Sequence, residues 1–354
     1  MKLKPPPLSG PAIALASAIL FGASTPLAKL LLGDGLDAGL LAGLLYLGSG
    51  VGLTVVLITR KLADSTVTEA PLRRADLPWL GLVVLFGGVL GPLLLMIGLS
   101  TTAASSASLL LNVEGLATMA IAWIVFRENV DRRLLIGAFS ILAGAVVLSW
   151  RGGAAGFGWG AAAIVGACLA WAIDNNLTRK LSSSDPVQLT AIKGVVAGSV
   201  NLLLALARGA SLPHLSALGE AAAIGFLGYG VSLVLFVLGL RQLGAARAGA
   251  YFSTAPFIGA SLAILLFREP ITVQLVLAAA LMGAGVWLHL SESHDHEHLH
   301  EALEHEHRHV HDAHHQHEHS ADDPASEPHT HSHRHTPLRH AHPHYPDPHH
   351  RHAH

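Results

Sequence analysis

The chain has 354 residues, of which 51% are hydrophobic and 13% charged, whereas soluble domains carry about 25% charged residues. That little charge cannot cover a water-facing surface, so lipid is the bulk solvent for most of the chain. A formal net charge of −2 excludes the concentrated basic face that a nucleic-acid partner needs, and a single cysteine, Cys168, excludes an internal disulfide.

Lys2 and Lys4 precede a long apolar run that begins at Pro11, a pattern shared with signal peptides. The run is too long for a cleaved leader and nine similar runs follow, so it reads as a retained spanning helix. A crossing needs roughly 20 apolar residues. The runs predict ten transmembrane helices, at about 11–32, 36–59, 78–99, 103–126, 134–150, 157–178, 187–208, 220–240, 245–267 and 271–290. Connections as short as Arg151-Gly152-Gly153 and Arg268-Glu269-Pro270 force antiparallel neighbours. With the N-terminus inside, thirteen Lys and Arg residues, among them Arg60, Lys61, Arg73, Arg74, Arg127, Arg179 and Lys180, fall on the cytoplasmic side. Only Lys29, Arg151, Arg208 and Arg268 fall on the other. The bias predicts cytoplasmic termini at both ends of a multi-pass protein of the cell (inner) membrane.

The chain repeats itself. An offset of 141 aligns Gly98-Leu99 with Gly239-Leu240, Ala104 with Ala245, Ala107 with Ala248, and Phe126-Arg127-Glu128 with Phe267-Arg268-Glu269. An offset of 151 sets Leu27-Ala28-Lys29 opposite Thr178-Arg179-Lys180. Each half then holds five spans, and an odd number turns the second half upside down. The expected fold is an all-α membrane protein of two inverted five-helix repeats, 1–150 and 157–290, followed by a tail, 291–354. Inverted repeats of this kind belong to secondary transporters, with the substrate near the midplane between the halves.

The 5+5 plan, the paired Phe-Arg-Glu ends and the Gly/Ala-rich helix after each resemble the drug/metabolite transporter superfamily, specifically EamA-type permeases, over about 11–290. The resemblance implies a carrier of small metabolites, often an exporter, without naming the substrate. The tail is not part of that pattern.

Ionisable groups inside the membrane mark functional sites by default. Glu114, near the middle of the fourth helix, reads as a protonatable carboxylate facing a central cavity, or as a carboxyl held by a neighbouring helix. Asn112 lies roughly 200° away round a regular helix. It lines up with Ser105, Ser108 and Gly115 as a small polar stripe suited to close packing, or, where Gly115 loosens the helix, reaches the cavity with Glu114 as a substrate or coupling group. Asp174 and Lys193 flank the Ser182-Ser183-Ser184-Asp185-Pro186 turn almost symmetrically. A hairpin puts them at one depth, as a structural ion pair or with Lys193 facing an anionic substrate group. Asn175 and Asn176 add amides that need partners in lipid. Pro26, Pro92 and Pro256 read as kinks. Tyr251 and Ser253 on the ninth helix are further cavity candidates, Ser253 as the repeat counterpart of Asn112. Trp171 and Tyr229 either line the cavity or pack.

The tail holds 23 of the 25 histidines, many at alternate positions: His294, His296, His298, His300, His305, His307, His309 and His311. Interleaved with twelve acids and four arginines, it cannot bury a core and reads as disordered. Imidazoles in this density bind Zn, Ni, Co or Cu, although no metal is required for the fold or for transport. Three functions stay open. The first is a proton-coupled exporter of small metabolites working by alternating access. The second is a divalent-metal exporter served by the tail, and the third is a non-transporting membrane protein with a metal-buffering tail. An enzyme is not expected, because no nucleotide loop, HExxH or triad is present. The expected partners are a small-molecule substrate, membrane lipid and transition-metal ions, with a homodimer left open.

Overall fold

A computed structural model describes residues 9–62, 76–126, 132–150, 158–178, 185–243 and 245–290, and four short strands in the tail. The chain forms two compact units, Met1–Ser291 and Glu292–His354.

The first unit is helical. Helix α1 is Gly10–Gly33, α2 Ala38–Leu62, α3 Leu77–Thr101, α4 Ala104–Val125, α5 Arg132–Ser149, α6 Trp159–Thr178, α7 Pro186–Ala207 and α8 Leu215–Gly239. Among the described residues these eight are long and apolar enough to cross a membrane. Helix α9 is split into Ala245–Phe252 and Ala255–Phe267, and α10 is Val273–Leu290. The apolar segments Ala255–Phe267 and Val273–His289 are shorter than the other eight. Instead of one continuous ninth span, the chain turns at Ser253-Thr254. Thr254 donates its hydroxyl to the Tyr251 carbonyl at 2.6 Å. Pro256, which lacks an N–H, starts the next piece where that donor would be unused. Helix α4 breaks at the equivalent place. Ala104–Leu110 ends at Leu111, and Asn112–Phe126 resumes.

The same pairing of halves recurs in α3 and α8. Each carries a π-helical turn, Val84–Leu90 and Phe226–Val231. Adding 141 carries the first of these onto 225–231, and Gly87 onto Gly228. Two independent breaks, repeated at one offset, give the repeat a structural content beyond composition.

Equivalent helices run in opposite directions. Gly43 of α2 packs on Gly198 and Leu202 of α7, whereas Gly50 packs on Gly194 and Val195. Gly137 of α5 meets Gly285 and His289 of α10, whereas Gly144 meets Ala278 and Met282. In both crossings the numbers rise along one helix and fall along the other. Lipid gives helices no hydrophobic reason to associate, so close packing at small residues does the holding.

The second unit holds β1 Glu297–His300, β2 Glu304–His309, β3 His329–Arg334 and β4 Leu338–Ala341. Here the structure departs from the disorder expected of the composition: β1 pairs antiparallel with β4, and β2 with β3. Histidine at alternate positions has period two, which is also the period of a strand. The β2–β3 register sets His305 against His333, His307 against His331 and His309 against His329. His294, His296 and His311 lie outside the described residues, as do Arg127, Glu128, Arg179 and Lys180.

Candidate functional site

The break in α4 places Glu114 in the first turn of the second piece, half-buried. Its carboxylate Oε1 accepts from Asn175 Nδ2 of α6 at 3.0 Å. The same amide approaches Thr118 Oγ1 at 3.3 Å, and Thr118 donates to the Glu114 carbonyl at 2.9 Å. Asn176, buried on the next face, donates to the Thr118 carbonyl at 3.1 Å and to the Ala172 carbonyl at 2.8 Å. Two helices from different halves are thus stitched by polar groups in an otherwise apolar region. No lysine or arginine pairs with Glu114 among the described residues.

Asp174 and Lys193 do meet: Lys193 Nζ donates to Asp174 Oδ2, and both side chains are nearly buried. Thr178 donates to the other carboxylate oxygen at 3.3 Å. A Cβ at Gly87 would strike the Asp174 carboxyl and Lys193 Nζ, so glycine in α3 lets backbone lie against the pair. The π-turn that contains Gly87 leaves carbonyls without a helical donor. Tyr46 donates to the Gly87 carbonyl at 2.8 Å and Trp171 at 3.0 Å. Asn201 donates to the Val89 carbonyl at 3.2 Å. Donors from α2, α6 and α7 therefore fix one irregular turn of α3. An aromatic cluster continues from it: Tyr46 packs on Tyr229, Tyr229 on Phe21, and Phe21 on Phe252.

The other sequence candidates fall elsewhere. Asn112 is buried, donates to the Leu109 carbonyl at 2.9 Å and sits 3.9 Å from Met282 Sδ, a packing role. Of its expected stripe, Ser105 and Ser108 are buried but Gly115 is exposed, because the break at Leu111 turns the helix out of register. Tyr251 and Ser253 are half-buried at the α9 break, beside Phe252. An open groove between α2 and α8, lined by Leu44, Leu47, Val51, Leu218 and Phe226, is wholly apolar and excludes Glu114. No group of three or more His, Cys, Asp or Glu able to hold a metal occurs among the described residues. Sequence reasoning missed Tyr46, Thr118 and Gly87. Only Gly87 left a trace, as the first residue of the Gly87-Gly88 pair inside an apolar run.

The EamA-like transporter family matches residues 8–150 and 158–291 of the chain. An uncharacterized transporter of Methanothermobacter thermautotrophicus is 31% identical over 229 residues, 62% of this chain and 66% of the relative. The chain therefore spans just under two thirds of that relative's length. An uncharacterized transporter of Bacillus subtilis, YyaM, is 23% identical over 285 residues, 77% of this chain and 90% of the relative. A solved structure described as a crystal structure of a protein has the same fold, with a TM-score of 0.59 and 20% identity over 79% of this chain and 95% of its own. The breaks repeated in both halves, the apolar helices and these matches converge on one assignment: the chain belongs to the EamA-like transporter family, and is a multi-pass membrane transporter rather than an enzyme.

Proposed function

We propose that the chain is a secondary carrier that exports a small organic metabolite, coupled to protons, across the cell's inner membrane. It has ten spans, and the halves 1–150 and 157–290 rock about the Glu114–Asn175 contact in alternating access. One observation carries this reading: Glu114 sits inside an apolar helix with an amide from the other half as its hydrogen-bond partner, and it forms no ion pair among the described residues. An ionised carboxylate in that position is expensive. A proton, or a cationic group on the substrate, removes the cost, and either one would link occupancy of Glu114 to the contact between the halves. Asp174 and Lys193 neutralise each other and serve as scaffold. Tyr251 and Ser253 flank the path at the α9 break, and Asn176 ties α6 to α4. Both termini lie in the cytoplasm, following the distribution of basic residues.

The test begins with a metabolite and metal profile of a deletion strain, which names the accumulating compound. Flux of that compound into inverted vesicles is then measured with Glu114→Gln. Loss of proton-dependent flux supports the reading, and its retention removes Glu114 from the mechanism.

A second reading, export of a divalent metal served by the tail, has one observation in its favour. The β2–β3 register pairs histidine with histidine at three alternate positions, and imidazole suits Zn, Ni, Co or Cu. The described helices offer no matching ligand group along a path, so we favour the tail as a metal-binding accessory, with metal not required for transport. Family membership speaks against a protein that does not transport at all.

A further inference from the structure

The second Phe-Arg-Glu has a job that the repeat alone does not reveal. Glu269 Oε1 accepts from the Ala104 backbone N–H at 2.8 Å, and Oε2 accepts from the Ser105 N–H at 3.0 Å. One carboxylate from the second half thereby closes over the first two amides of α4 in the first half. Such bonds are charge-assisted and reinforced by the positive end of the helix. Backbone geometry aims it there. Arg268 ends α9 with φ 51° and ψ 41°, the left-handed region that costs an L-residue about 1–2 kcal/mol. The left-handed residue ends the helix and redirects the chain at Glu269.

A second charge braces the same end. Lys29 of α1 donates to the Leu99 carbonyl at 2.5 Å and the Ser100 carbonyl at 3.2 Å, at the close of α3. Lys29 also lies within electrostatic reach of Glu269. Deeper in the bundle α1 and α9 touch at backbone level, Gly22 against Ala255 and Gly259 against Gly22. The ends of α1, α3 and α9 and the start of α4 are therefore drawn together on one face of the bundle, the Lys29 face.

We propose that Glu269, with Lys29 beside it, is the latch that shuts the Lys29 face, and that its two bonds to α4 break once in each transport cycle. The proposal rests on the alternating-access reading. A fixed structural cap and a latch differ in one respect. A cap only stabilises the fold, whereas a latch also decides from which side the site is reached. Glu269 acts as a positioning residue, touching α4 rather than the substrate.

Access is readable without a substrate. The native Cys168 is buried, and Gly115, exposed next to Glu114 with nothing within 4 Å of an added Cβ, takes a reporter thiol as Gly115→Cys and leaves the Glu114–Asn175 contact in place. A charged, membrane-impermeant maleimide is applied to the Lys29 face alone. With Glu269 intact, labelling from that face is slow. Glu269→Ala speeds it by about tenfold, and Glu269→Gln, which keeps one acceptor oxygen, gives a smaller increase. Labelling from the opposite face slows in the same variants. A lower unfolding midpoint with both labelling rates unchanged makes Glu269 a cap and overturns the proposal. If Glu269→Ala does not fold, an unchanged rate in Glu269→Gln has the same force. Flux through Glu114→Gln tests the carrier itself, so either reading can fail while the other is judged separately.

Discussion

The crossing of α2 and α7 is the tightest test of the inverted architecture. An ideal Cβ on Gly43 would lie 2.6 Å from Leu202 N and 3.1 Å from the Gly198 carbonyl oxygen, and one on Gly198 would lie 2.5 Å from Leu47 N. Ordinary contact begins near 3.4 Å, so either alanine forces the helices apart by about 0.8 Å at backbone that no side chain can relieve. Each of Gly43→Ala and Gly198→Ala should destabilise by about 1–3 kcal/mol. Because Gly43 and Gly198 face each other, one separation serves both, and the double variant should cost less than the two singles together. Gly81→Ala is the control, since nothing lies within 4 Å of its Cβ. There alanine should stabilise the helix by about 0.5–1 kcal/mol. Unfolding in mixed micelles, followed by circular dichroism, reads all four. Wild-type stability in Gly43→Ala and Gly198→Ala would refute the close antiparallel crossing.

The Asp174–Lys193 pair should behave as one unit. Asp174→Asn or Lys193→Met leaves a buried charge alone and should cost about 3–5 kcal/mol, whereas the double variant should cost clearly less than the sum; additive losses in the same unfolding assay would show that the pair is not coupled. Tyr46→Phe removes one donor from the Gly87 carbonyl and should lower stability by about 1 kcal/mol, and Trp171→Phe removes the other together with part of a buried ring and should cost more. Since either donor covers for the other, the double variant should lose more than the sum, and equal additivity would place the two donors on separate acceptors.

What the residues disclosed by themselves was periodic or repeated. Apolar run length marked the helices, because lipid imposes it, and the offset of 141 marked the repeat between the halves. The meeting of Asp174 with Lys193 followed from counting outward from a short turn. Pro256 marked the break in α9, whereas the break in α4 and the π-turns in α3 and α8 were not legible. Each depends on which donor sits opposite a freed carbonyl, as Tyr46 and Trp171 do for Gly87, and that is a fact about neighbours distant in the chain. Of the Asn112 stripe only Gly115 falls outside the buried face, for a related reason: a regular helix was assumed through Leu111. Glu269 announced itself only as half of a repeated motif, and its partners on α4 lie 164 and 165 residues away. In the tail, composition argued against structure while its alternation matched a strand.

Proton-dependent flux through Glu114→Gln in inverted vesicles tests the central claim most directly. The compound that accumulates in the deletion strain is loaded with and without an imposed pH gradient, in wild type and variant. The account predicts that the gradient accelerates wild-type flux and leaves the variant unaffected, with equal protein in the membrane. A variant that still responds to the gradient as wild type does would contradict it.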